Sequence, residues 1–188
     1  MTARHSQRNA LQNPLTLRLL NLLQRRLFDY EFLGLQNLDN SKPSLLVGNH
    51  SIYSYDLAIL LVELKLQKNI RLRALSDRLH ERIPYWRDIL KSHGVVPATP
   101  DNCTRLMQSG EHILVFPGGA REALKRKGEE HRLFWKKRTG FARMALANRY
   151  PITPFFVYGA DLGYDILWDY SRIKKNRALA PLFKERSK

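Results

Sequence analysis

The sequence predicts an α/β fold, a largely parallel sheet flanked by helices, with an amphipathic helix at the N-terminus. Three observations predict it. Short apolar runs at 45–47, 113–116 and 152–158 have the character of strands buried on both faces. Segments of helical period alternate with these runs, the pattern of parallel strands joined by crossover helices. The 188 residues are enough for one domain with a substantial core and contain no internal repeat, linker or low-complexity stretch.

The first element follows Pro14, where Leu15, Leu19, Leu22, Leu23 and Leu27 recur at helical spacing with Arg18, Arg25 and Arg26 between them. Such a helix has two placements open to it: leucines in a membrane interface, or leucines docked on the core with the arginines solvated. A turn at 39–43 then leads into Leu45, Leu46 and Val47, and Gly48 lets the chain turn at the strand's end. His50 is therefore expected where the strand stops, facing a cleft. Ser54 is the expected N-cap of an apolar helical segment, 57–64, which places Asp56 in its first turn, where the macrodipole favours an anion. The carboxylate can fold back towards the imidazole, fixing its tautomer and stabilising its cation, as a general base requires. The same two residues would also serve as a polar loop and a favourable helix start.

Residues 70–75 alternate as a half-buried strand, with Arg71 and Arg73 opposite Ile70, Leu72 and Ala74. A short helix over 84–90 carries Tyr85 and Trp86, and 94–97 reads as a strand. Asp101 or Asn102 caps the helix containing Leu106 and Met107, Gly110 ends it, and the strand at 113–116 follows. Thr139 caps an alanine-rich helix running to Asn148, before the last strand at 152–158.

A second dense stretch, Phe116-Pro117-Gly118-Gly119-Ala120-Arg121-Glu122-Ala123, also sits at a strand's end. Two glycines allow close backbone approach, and an arginine offers a fork for phosphate or carboxylate. It is not a P-loop, because the Gly-Lys-Ser/Thr ending is absent.

The charge of +15 is unevenly placed: residues 1–30 carry +4, 121–149 carry +7 and 172–188 carry +6, leaving −2 for the remainder. A nearly neutral body with basic segments suits an anionic partner, whether phospholipid, nucleic acid or a phosphorylated substrate. The single Cys103 excludes an intrachain disulfide, and no histidine stands at metal-ligand spacing, so no metal is expected. No apolar run approaches the ~20 residues that span a bilayer.

Asn49-His50 with Asp56, then Phe-Pro-Gly-Gly-Ala-Arg-Glu-Ala, then Tyr150-Pro151-Ile152-Thr153-Pro154, in this order and spacing, resembles the glycerolipid acyltransferase superfamily. Gly94 to Pro97 falls where that family's second motif would lie. Five residues separate His50 from Asp56, against the usual four, and Gly118 stands where phosphate-using members carry Glu. Both features resemble the branch of diacylglycerol acyltransferase-like proteins, with Pro117, Gly118, Gly119 and Glu122 matching its third motif. The resemblance implies an N-terminal basic helical segment over 1–33 and an acyltransferase domain over 34–188, which the stop at Lys188 would leave shortened or incomplete.

It further implies transfer of a fatty acyl group from acyl-CoA or acyl carrier protein to a hydroxyl of a glycerolipid, such as diacylglycerol or a lysophospholipid. His50 would be the general base and Asp56 its orienting partner, with the alkoxide attacking the thioester directly. Asn49, Pro117, Gly118, Gly119, Arg121 and Glu122 would contact substrate, Arg121 holding an anionic part of it. No cofactor is implied beyond the acyl donor. The expected setting is an anionic membrane surface, peripherally on the cytoplasmic face. The competing readings are a basic nucleic-acid-binding module and a non-catalytic lipid-binding relative. Nucleic acid is the less expected partner, because the aromatics are not interleaved with the basic runs in an RNA-binding pattern.

Overall fold

The computed structural model describes residues 13–77, 80 and 83–163. Its centre is a five-stranded, wholly parallel sheet in the order β3-β2-β4-β1-β5, formed by β1 (Leu45–Val47), β2 (Leu72–Ser76), β3 (Val96–Pro97), β4 (His112–Val115) and β5 (Ile152–Pro154). Helix α1 (Pro14–Phe28) precedes the sheet, and α2 (Tyr55–Lys68), α3 (Trp86–Ser92), α4 (Pro100–Gln108), α5 (Gly119–Ala123) and α6 (Gly140–Ala147) fill the connections.

The apolar runs are continuous because both faces of the sheet are covered. On one face Leu46, Leu72, Ala74 and Leu114 pack with Leu64 and Ile70, under α2. On the other, Leu45, Val47 and Ile113 meet Cys103, Leu106 and Met107 of α4 and Ala145 of α6. Leu45, Ile113 and Leu114 are fully buried, and each such side chain contributes about 1.5–3 kcal/mol.

Local caps differ from expectation in instructive ways. Thr99, two residues before Asp101, caps α4 by accepting from the Asn102 N–H at 3.2 Å, with Pro100 as the first helical residue. Ser54 does occupy the N-cap position of α2, but its side chain caps nothing there. The last strand is shorter than the predicted 152–158, ending at Pro154.

Of the two placements open to the N-terminal helix, docking by its leucines is not the one adopted. Of its apolar residues only Leu17 is buried, whereas Leu15, Leu19, Leu22, Leu23 and Leu27 are 49–75 % exposed. What docks is the stripe Leu17, Asn21 and Arg25, spaced four apart. Asn21 and Arg25 both donate to Oε1 of the buried Glu63 on α2 at 2.6 Å, and the Tyr30 hydroxyl donates to the same oxygen at 2.8 Å. Arg25 is thus an ion-pair partner instead of a solvated charge, because Glu63 needs compensation once buried. Burial of the Tyr30 hydroxyl, with Glu63 beside it, pushes its pKa far up. The basic segment at 172–188 lies outside the described residues.

Candidate active site

Strands β1 and β4 are neighbours in parallel register, Val47 opposite Val115, so the two motif-bearing loops leave the same sheet edge side by side. In parallel α/β sheets ligands bind outside the carboxyl ends of the strands. His50 follows β1 and the Pro117-Gly118-Gly119 turn follows β4, which brings together stretches separated by about seventy residues of chain.

The His50 Nδ1 lies 3.4 Å from the Asp56 carboxylate, and both side chains are largely buried. Asp56 also accepts from the backbone N–H of Ser51 at 3.0 Å and of Leu57 at 2.9 Å, which fixes its orientation. Burial alone would raise the Asp56 carboxyl, but the His50 ring and the Ser51 N–H outweigh it and hold it below its ordinary value. A depressed carboxylate stabilises the fold at neutral pH and above, and that stabilisation is lost as pH falls through the lowered value. Thermal melts in acid should therefore show Asp56→Asn converging on wild type, with the gap between them open at neutral pH.

The other face of the imidazole is equally defined. Phe116 stacks on it at 3.8 Å with the rings 2° from parallel, and Nε2 lies 3.0 Å from the Ser54 hydroxyl. The expected cleft-facing loop histidine is in fact a buried one, because the aromatic side chain of Phe116, at the start of the glycine-rich stretch, covers it.

Several predicted substrate contacts prove to be occupied by the protein itself. Asn49 forms a two-way clamp with Val157, donating to its carbonyl at 2.8 Å and accepting from its N–H at 2.7 Å. Glu122 is fully buried, its two oxygens accepting from the backbone N–H of His50 at 2.9 Å and of Phe134 at 3.1 Å. Arg121 binds Glu129 at 2.5 Å and lies 4.0 Å over the Phe134 ring, so its charge is matched internally. The Pro117 and Gly118 carbonyls accept from Arg138 at 3.1 and 2.6 Å. A side chain at Gly118 would collide with Glu122, and Gly119 adopts a left-handed φ of +53°, so both glycines are required by the turn.

Sequence reasoning missed Lys125 and Asp161. The buried Lys125 ammonium donates to the His50 carbonyl at 2.8 Å and to Asp161 at 2.6 Å, and Asp161 accepts in addition from Ile52 N–H at 3.2 Å and His131 N–H at 3.0 Å. Lys125 lies in a basic run that reads as solvated, and Asp161 is remote in sequence, so neither carried a local signal. Together with Glu122 they hold the His50 turn by its backbone.

A cavity of about 860 Å³ reaches Asp56 and Phe116, the two side chains that contact the His50 ring, and its walls include Leu60, Leu64, Phe155 and Leu27. Its size falls within the roughly 300–1,000 Å³ of small-molecule sites. Cys103 lies elsewhere, buried under the sheet among apolar side chains, and burial pushes its thiol up, away from nucleophilic character. Among the described residues no group of three or more His, Cys, Asp or Glu side chains is placed to hold a metal ion.

A family model described as Acyltransferase matches residues 29–158, which spans the sheet and both motif loops. The chain belongs to this acyltransferase family. Among curated relatives, phytyl ester synthase 2 of Arabidopsis thaliana is 37 % identical over 143 residues, covering 72 % of this chain and 20 % of the relative. The human "DGAT1/2-independent enzyme synthesizing storage lipids" is 26 % identical over 135 residues, covering 72 % of this chain and 41 % of the relative. Diacylglycerol O-acyltransferase 2 of Dictyostelium discoideum is 31 % identical over 98 residues, covering 51 % of this chain and 30 % of the relative. The chain therefore spans between about a fifth and two fifths of the length of these relatives. No solved structure matches it.

Proposed function

We propose that the chain transfers a fatty acyl group from a thioester, acyl-CoA or acyl carrier protein, to the hydroxyl of a neutral lipid alcohol. The observation that carries this reading is the buried His50–Asp56 contact, locked at the end of β1 beside a largely apolar cavity. His50 Nε2 takes the proton of the acceptor hydroxyl, Asp56 stabilises the resulting imidazolium, and the alkoxide oxygen attacks the acyl carbonyl. The proton then passes to the departing sulfur. The cavity accommodates an apolar chain of donor or acceptor.

A neutral acceptor is favoured over a lysophospholipid because Arg121, the candidate phosphate fork, is already paired with Glu129. The names of the matched relatives, phytyl ester synthase and diacylglycerol O-acyltransferase, also describe esters of neutral alcohols for those proteins. Turnover of a long-chain acyl-CoA with diacylglycerol, a long-chain isoprenoid alcohol and lysophosphatidate supplied in parallel tests this. The neutral alcohols should be acylated, and a strong preference for lysophosphatidate would overturn the assignment.

The site needs access to a bilayer, and the exposed leucine face of α1 supplies a means. Among the described residues no helix is long and apolar enough to cross a membrane. We assign α1 to the interface, its leucines inserted and the basic segments drawn to anionic headgroups on the cytoplasmic side, each Lys or Arg contributing about 1 kcal/mol. Leu19→Asp with Leu22→Asp should weaken binding to anionic liposomes by about 30-fold, equivalent to roughly 2 kcal/mol of lost apolar burial. Added salt should weaken wild-type binding as well. Unchanged binding of the double variant would remove α1 from the interface.

A further inference from the structure

We propose that Ser54 is a nucleophile, and that the chain cleaves acyl thioesters through an acyl ester on Ser54 when no lipid alcohol is bound. The geometry is that of a serine–histidine–carboxylate relay. The Ser54 hydroxyl lies 3.0 Å from Nε2 of His50, and Nδ1 of the same ring lies 3.4 Å from Asp56. Relays of this kind are recognised by geometry and role instead of by residue order, and here all three members fall within seven residues.

Two further features set Ser54 apart from an ordinary turn serine. Its backbone is left-handed, φ 63° and ψ 22°, a conformation that costs a non-glycine residue energy and is over-represented where function demands it. It also occupies the N-cap position of the fourteen-residue α2, where a serine ordinarily accepts from the helix's first N–H groups, yet its side chain makes no capping bond. The hydroxyl is turned to the imidazole instead. A serine on a strained turn that opens directly into a helix, with its oxygen held by a histidine, is the arrangement by which hydrolases expose a nucleophile.

The inference shares its thioester donor with the proposed function and extends it. The Ser54 oxygen stands where an acceptor hydroxyl would have to stand, within hydrogen-bond reach of the base. Its O–H proton passes to Nε2, the oxygen attacks the thioester carbonyl, the carbon–sulfur bond breaks, and the imidazolium proton goes to the leaving thiolate. An acyl–Ser54 ester and a free thiol result. Water, deprotonated by the same nitrogen, then cleaves the ester, releasing the fatty acid and restoring the hydroxyl. The sum is one thioester and one water converted to one thiol and one carboxylic acid, with no oxidant or reductant required.

The test uses the full chain with palmitoyl-CoA and no lipid alcohol, following thiol release and analysing acid-quenched protein by mass spectrometry of the peptide containing residues 50–56. The expected result is a palmitoyl adduct on Ser54 in wild type and steady thiol release. Ser54→Gly, which suits a left-handed φ and so retains the fold, should abolish the adduct and reduce thiol release at least tenfold, as should His50→Ala. Thiol release by Ser54→Gly equal to wild type, or an adduct that maps to another residue, overturns the proposal. A parallel reaction supplied with diacylglycerol separates the two readings. Esterified lipid in that reaction, with no Ser54 adduct in the alcohol-free one, defeats this inference alone, whereas neither lipid product in the first nor adduct in the second defeats the proposed function with it.

Discussion

Substituting His50 by Ala lowers acyl transfer by about 10²- to 10⁴-fold, the usual contribution of a positioned general base. The same change should cost only about 1–2 kcal/mol of stability, since it removes one ring stacked on Phe116 and leaves a small cavity. The backbone of the turn does not depend on that ring. Glu122 holds the His50 N–H and Lys125 holds the His50 carbonyl, and neither contact involves the imidazole. Rate and stability therefore separate, and turnover measured beside circular dichroism melts detects it. Asp56→Asn should lose less activity than His50→Ala, because the imidazole remains while its cation loses a charged partner. A folded His50→Ala protein that turns over comparably to wild type would remove the histidine from the chemistry.

Glu122→Gln should be the most damaging conservative substitution in the glycine-rich stretch from Phe116 to Ala123. Both carboxylate oxygens accept from backbone N–H groups, those of His50 and Phe134, in a fully buried position. An amide offers one acceptor and places an NH₂ against the other donor, leaving a buried N–H unsatisfied. Loss of one charge-assisted bond and the desolvation of its stranded donor together cost about 2–3 kcal/mol. Because one of those donors belongs to His50, the variant should lose activity as well as thermal stability. Chemical denaturation with turnover on the same samples checks both; a variant as stable as wild type would show that the Glu122 clamp is dispensable.

A largely parallel sheet was legible because its strands are continuous apolar runs separated by helical segments, as at Leu45 to Val47 and His112 to Val115. The pairing of His50 with Asp56 was legible from local spacing, since both lie within one loop and the first turn of α2. What was not legible depends on where separate segments meet. Arg121 was read as free to hold an anion, and only the fold reveals Glu129 against it. The leucine stripe of α1 left two placements open, and only Glu63, in the middle of α2, shows that Asn21 and Arg25 dock on the core instead. Lys125 and Asp161 lie 36 positions apart in the chain, and one sits in a run of solvated-looking charge, so periodicity could not pair them. Ser54 was assigned to the helix by its position, but its rotamer is decided by the imidazole above it.

The most direct measurement is lipid mass spectrometry of cells expressing the wild-type chain beside cells expressing His50→Ala at equal abundance. The expected result is a class of neutral fatty acyl esters that accumulates with wild type and is absent with the variant. Identical ester profiles in the two, with the wild-type protein folded and membrane-bound, would contradict it.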